Sequence, residues 1–219
     1  MSDEINTNSY SAFKVFHHHD RIEKLKEGVQ PNPISVRMVL SDLCNQNCHF
    51  CTFRMEGSMT NKLFGGLDKR GNLTLNPARF LSREKSLEII KDCSEMGIKS
   101  IEFTGGGEPT VHPDHVEIFN SVLDAGMHLG LITNGVIFRK DFEDTILKST
   151  WCRFSLDAGS AKTYSQVREV PEKMFEKVLN NIKKLSDKKK EIDSKTTLGV
   201  SFIVTCLLYT SPSPRDRQK

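Results

Sequence analysis

The chain has 219 residues, 37% of them hydrophobic and 27% charged, enough for one domain with a real core. No apolar run reaches the length of a membrane span, the opening MSDEINTNSY lacks the charged-then-apolar layout of a signal peptide, and a formal charge of +3 is too slight to argue for nucleic acid. Clustered thiols without a secretory signal point to a reducing compartment, the cytoplasm.

Residues 11–29 read as an amphipathic helix with Phe13, Phe16, Ile22 and Leu25 on one face, ending near Gly28. His17, His18 and His19 are adjacent and point in different directions on a helix, which suits a solvated face better than a metal. Pro31 and Pro33 then break the helix, so residues 1–33 read as an N-terminal helical extension. ISVRMVLSD follows, a strand of β-branched and apolar residues in near alternation.

That strand runs into CNQNCHFC, residues 44–51, which sets Cys44, Cys48 and Cys51 in the spacing C-x3-C-x2-C. An ordinary core scatters its cysteines singly. Thiolates this close repel one another unless a metal or cluster takes up their charge, so the octet reads as a soft-metal site. Positions 44, 48 and 51 could instead form one buried face of a helix, but Asn45 and Asn47 between them are turn formers. A structural zinc wants four ligands, and an electron-transfer iron–sulfur cluster wants four cysteines. His49 is the available fourth zinc ligand, although it adjoins Cys48 and neighbouring side chains rarely converge on one tetrahedral ion. With three local cysteines one coordination position stays open for chemistry.

Residues 55–81, with Gly57, Gly65, Gly66, Gly71 and Pro77, read as a loop or insertion beside the octet. Ser82 caps an expected helix through Met96 that stops at Gly97. IKSIEFT (98–104) is a strand, and TGGGEPT (104–110) is a Gly-rich turn at its end, where a ligand can approach bare backbone. It matches neither of the common phosphate-binding patterns. Pro113 opens a helix to Ala125. MHLGLIT (127–133) is a strand ending in Thr133, Asn134 and Gly135, a βα turn, and residues 140–149 form a short helix. CRFSLD (152–157) is a strand, 172–185 a helix and TTLGVSFIVT (196–205) a further strand. Alternating βα units joined by short connections imply an α/β fold with a parallel sheet, in which function gathers at the C-terminal strand ends. Cys93 and Cys152 read as packed thiols.

The final CLLYTSPSPRDRQK (206–219) departs from the pattern before it, and its back-translation fits a transposon-end sequencing adapter read in frame. It is therefore set aside as a non-native tail. It carries three of the 31 basic and one of the 28 acidic side chains, so without it the formal charge is +1.

The cysteine spacing, with Phe50 before the last cysteine, resembles the radical S-adenosylmethionine (SAM) superfamily, and the resemblance extends over residues 34–205. It implies a partial (β/α)6 TIM-like barrel, here truncated to about five strands. Cys44, Cys48 and Cys51 would bind a [4Fe-4S] cluster whose fourth iron is chelated by SAM. Cleavage of SAM would yield a 5′-deoxyadenosyl radical that takes hydrogen from an unidentified substrate, a peptide or a small molecule of cofactor biosynthesis. Gly106, Gly107 and Glu108, extended by Gly105, match the motif that holds the SAM amino group. A carboxylate and free carbonyls suit an ammonium donor. Thr133 and Asn134 are candidate cofactor or substrate contacts, and Ser155 and Asp157 fit ribose contacts, with Asp157 otherwise a helix cap. Arg168 resembles an arginine that neutralises the SAM carboxylate. The resemblance also implies a reductant such as flavodoxin or ferredoxin. It assigns no catalytic side chain beyond the cofactor contacts. A zinc-stabilised binding module and a simple electron-transfer iron–sulfur protein are the other readings.

Overall fold

The computed structural model describes residues 18–54 and 79–204. Expectations for residues 11–17, most of the 55–81 insertion and the 206–219 tail lie outside these described residues. The elements in chain order are α1 (His19–Lys26), β1 (Ser35–Met38), α2 (Arg83–Glu95), β2 (Ser100–Phe103), α3 (His115–Asp124), β3 (His128–Thr133), α4 (Lys140–Ile146), β4 (Trp151–Ser155), α5 (Ala161–Arg168), α6 (Lys173–Glu191) and β5 (Thr197–Ser201). Short 3-10 turns lie at Thr52–Arg54 and Pro109–Val111.

The five strands form one parallel sheet in the order β1-β2-β3-β4-β5. Sequential order in a parallel sheet follows from right-handed crossovers that each step one strand onward. Ile101 and Phe103 of β2, Leu129 and Leu131 of β3, and Cys152 and Phe154 of β4 point to one face of the sheet. There they meet Ile90 and Cys93 of α2, Ile118, Phe119 and Val122 of α3, Phe142 and Ile146 of α4 and Leu185 of α6. Phe103 and Phe119 sit 4.6 Å apart between ring centroids at the middle of this layer. A smaller core of Val136, Leu156, Ala158, Tyr164, Phe175 and Val178 packs α5 and α6 near the C-terminal strand ends.

The expected helices and strands are present among the described residues, but two strands are shorter than read: β1 has four residues, Ser35–Met38, within 34–42, and β5 has five, Thr197–Ser201, within 196–205. Ser82 Oγ accepts from Lys85 N–H at 3.2 Å, and Gly97 takes φ +72° so that Ile98 N–H closes on Cys93 O, a helix stop that a side chain at Gly97 would strain. Two differences have local causes. Helix α6 continues past residue 185 through the Lys-rich turns, because Lys184 and Lys188 pair with Glu143 and Asp144 of α4 and Lys183 pairs with Asp187. Helix α5 escapes periodicity because it spans only eight residues and buries just Tyr164, Val167 and Arg168. Its cap is Ser160, whose Oγ accepts from Thr163 N–H, and not Asp157. No described helix is long and apolar enough to cross a membrane.

Candidate active site

Parallel pairing puts the C-terminal ends of β1 to β4 on one edge of the sheet, and each is followed there by a motif segment. The cysteine loop follows β1, the glycine turn β2, Thr133 and Asn134 β3, and Ser155 and Asp157 β4.

The glycine turn is clamped against the start of the cysteine loop. Gly107 N–H donates to Ser41 O and Glu108 N–H to Leu43 O, both at 2.9 Å. A Cβ on Gly107 would lie 1.9 Å from Leu43 O, so what approaches this bare backbone is the chain itself. A Cβ on Gly106 would meet nothing closer than Val39 Cγ1 at 3.4 Å.

Glu108 is buried and surrounded by donors. Thr133 Oγ1 (2.6 Å), Thr110 Oγ1 (2.7 Å), Asn134 N–H (2.7 Å) and Thr110 N–H (3.1 Å) all point at its carboxylate. Burial pushes the carboxyl above the usual range, against the pull of these four donors. The side chain thus ties the end of β2 to the end of β3. Asn134 Nδ2 reaches back to Asn45 Oδ1 at 2.6 Å, with Cys44 Sγ 4.0 Å away.

Helix α5 holds the other side of the cysteine loop. The last carbonyls of a helix have no intrahelical partner. Here Arg168 O accepts from Asn47 N–H at 3.1 Å and Val167 O from His49 N–H at 3.3 Å and His49 Nδ1 at 3.2 Å. His49 is therefore turned toward the helix end. Glu169, in the left-handed region at φ +50°, accepts from Asn47 Nδ2. Arg168 is 5% exposed and enters the loop itself. Its Nη1 donates to Gln46 Oε1 at 3.0 Å and to Cys48 Sγ at 3.2 Å, and its Nη2 donates to Ser155 O and Asp157 Oδ2. Asp157 Oδ1 in turn accepts from Ile203 N–H at 2.7 Å. Burial pushes the Asp157 carboxyl up against the pull of Arg168, and although burial opposes the Arg168 charge, Cys48 and Asp157 more than offset it.

Cys44, Cys48 and Cys51 are free thiols on this one loop, and Cys93 and Cys152 are buried in the sheet–helix core. Burial first, then Glu108, Cys48 and Cys51, push the Cys44 thiol up to about 12. Burial also raises Cys48, opposed by Arg168. Among the described residues no three His, Cys, Asp or Glu side chains are grouped so as to hold one metal ion.

The family model for the radical SAM superfamily matches residues 38–204, more than half the chain. The chain belongs to the radical SAM superfamily. It is 30% identical over 132 residues to the S-adenosylmethionine-dependent nucleotide dehydratase of Flammeovirga pacifica, covering 59% of this chain and 40% of that one. It is 23% identical over 189 residues to the GTP 3',8-cyclase of Staphylococcus aureus, covering 85% and 49%. Streptococcus suis SuiB, in crystal structures bound to S-adenosylmethionine and to the precursor peptide SuiA, shares the fold with a TM-score of 0.56 in each. Identity there is 18% and 19%, over 88% of this chain and 40% and 38% of SuiB. The chain spans half or less of the length of these relatives. Membership makes it kin to enzymes and implies a [4Fe-4S] cluster and SAM as cofactors.

The residues present fit that pair. The thiols are free, and one buried N–H, Arg168 Nε, is left without a partner beside them. Gln46, Tyr164, Thr110 and Glu169 join the site without having been singled out from sequence. Thr110 lies inside TGGGEPT two residues from its acceptor, a readable signal, whereas Gln46 and Tyr164 meet across 118 residues and leave none.

Proposed function

We propose that this chain carries the cofactor-binding domain, residues 34–205, of an enzyme that uses radical SAM chemistry on a peptide or on a small molecule of cofactor biosynthesis. When bound, the cluster supplies the electron that splits the SAM sulfonium, and the resulting 5′-deoxyadenosyl radical takes a hydrogen from the substrate. The observation that carries the reading is that the loop bearing all three cysteines, the glycine turn clamped to it and a buried arginine bonded to Cys48 lie together at the C-terminal strand ends.

In this reading Cys44, Cys48 and Cys51 hold the cluster. The carbonyls of Gly105 and Gly106, the Ser155 hydroxyl and Arg168 Nε line the SAM site. Gly107, Glu108, Thr133, Asn134 and Asp157 act one step back, because their groups are already engaged within the chain. They keep the strand ends in register so that an ammonium and a carboxylate find donors and acceptors already in place. The reading calls for a low-potential reductant such as flavodoxin or ferredoxin and for a reducing compartment such as the cytoplasm. SuiB, with its precursor peptide, supports a peptide substrate, and the S. aureus cyclase supports a small molecule.

Anaerobic reconstitution followed by metal and sulfide analysis tests the assignment. About four irons and four sulfides per chain, lost in the Cys44→Ala, Cys48→Ala, Cys51→Ala triple variant, are expected. With SAM and dithionite, the loaded chain should release 5′-deoxyadenosine. One zinc per chain, or iron retained by the triple variant, would end the reading.

A further inference from the structure

Arg168 presents five N–H donors, and the chain itself takes up both terminal nitrogens. Nη1 is shared between Gln46 Oε1 and Cys48 Sγ, and Nη2 between Ser155 O and Asp157 Oδ2. An arginine present only to bind a ligand carboxylate would keep its fork open for bidentate contact. Here the fork is closed by protein, and one of its prongs ends on a cysteine sulfur 3.2 Å away.

The surroundings hold the guanidinium in that place. Gln46 is 3% exposed, and its Nε2 donates to Tyr164 Oη at 2.7 Å, which sets the amide so that Oε1 faces Arg168. Tyr164 is fully buried in the smaller core, packed 5.5 Å from Phe175 between ring centroids. On the far side the Asp157 carboxylate is anchored by Ile203 N–H at 2.7 Å. The Arg168 and Asp157 side chains are 6% and 2% exposed, so their charges act with little screening by water.

We propose that Arg168 is a positioning residue that sets the electron affinity of the cluster through its N–H···S bond to Cys48, that Asp157 moderates its charge, and that Gln46 and Tyr164 aim it. The proposal rests on the cluster assignment above. Hydrogen bonds to ligating sulfurs and nearby charge both shift the potential of an iron–sulfur cluster. A cation beside Cys48 favours the reduced, more negative cluster, and the Asp157 carboxylate partly cancels that effect. The step affected is the uptake of one electron from a low-potential donor, with no proton transferred and no bond made or broken.

The test is a redox titration of the full chain, reconstituted anaerobically with iron and sulfide and poised with dithionite. It is followed by electron paramagnetic resonance without SAM, so that contacts to SAM cannot contribute. Arg168→Gln should lower the reduced-to-oxidised ratio at a fixed potential by up to about tenfold, or about 59 mV for one electron. Asp157→Asn, which keeps an oxygen for Ile203 N–H, should shift the ratio the opposite way. Tyr164→Phe should follow Arg168→Gln by a smaller amount at unchanged iron content. Shifts of opposite sign for Arg168 and Asp157 are not what a merely structural role produces. If Arg168→Gln loses iron, Asp157→Asn and Tyr164→Phe decide the matter. Unmoved potentials in both, with iron and sulfide intact, overturn the proposal. A wild-type chain that takes up no iron or sulfide overturns the cluster assignment instead, and the proposal with it.

Discussion

Gly107→Ala should be the most damaging small substitution at the site. The added methyl would sit 1.9 Å from Leu43 O, 2.5 Å from Leu43 C and 2.7 Å from Asp42 C, all backbone atoms that no rotamer change can move aside. Ordinary contact needs well over 3 Å, so the glycine turn and the 41–43 segment must separate by more than an ångström. The hydrogen bonds Gly107 N–H to Ser41 O and Glu108 N–H to Leu43 O, both 2.9 Å, would then stretch beyond usefulness. Losing two buried backbone bonds at about 1–2 kcal/mol each gives about 2–4 kcal/mol of destabilisation, or about 4–16 °C in Tm for a domain of this size. Because Leu43 leads directly into Cys44, iron uptake should fall as well. Gly106→Ala is the internal control, since its methyl comes no closer than 3.4 Å, to Val39 Cγ1, and should cost little. Thermal unfolding of both variants, with iron content after reconstitution, checks the reasoning. A Gly107→Ala chain as stable and as iron-replete as the parent would refute the close approach of the two loops.

Glu108→Gln replaces a carboxylate that only accepts with an amide that must aim an N–H at Asn134 N–H or at the Thr110 and Thr133 donors. Urea unfolding should show a loss of about 1–3 kcal/mol, and SAM binding to the reconstituted chain should weaken while iron content holds. His115 is buried against Phe119 and Phe142, and burial holds its ring below the ordinary value of 6.5. The unfolded chain therefore takes up that proton first, so stability should fall as pH drops below 6.5, and His115→Phe should flatten that part of the urea-midpoint profile. Cys93→Ala and Cys152→Ala should lower stability through lost core packing, yet leave iron and sulfide per chain unchanged in the reconstituted protein.

Much of this protein was legible from local pattern. The triplet Cys44, Cys48 and Cys51 is a chemical statement made by eight consecutive residues, and alternating apolar periods 2 and 3.6 announce a parallel sheet covered by helices. Because such a sheet aligns its C-terminal strand ends on one edge, the gathering of the motifs there was also implied. Three things needed the tertiary structure. Helix α5 is too short to show a period, so its docking of two carbonyls on the cysteine loop was invisible until the chain closed. The work of Glu108 and Asp157 depends on neighbours that arrive from β3, α5 and the segment after β5, and those neighbours turn both carboxylates inward. The contact of Arg168 with Cys48 joins residues 120 apart. Residue type and spacing record what a segment can bind, but which donors are already satisfied is settled only when the folded chain brings distant groups within hydrogen-bond reach.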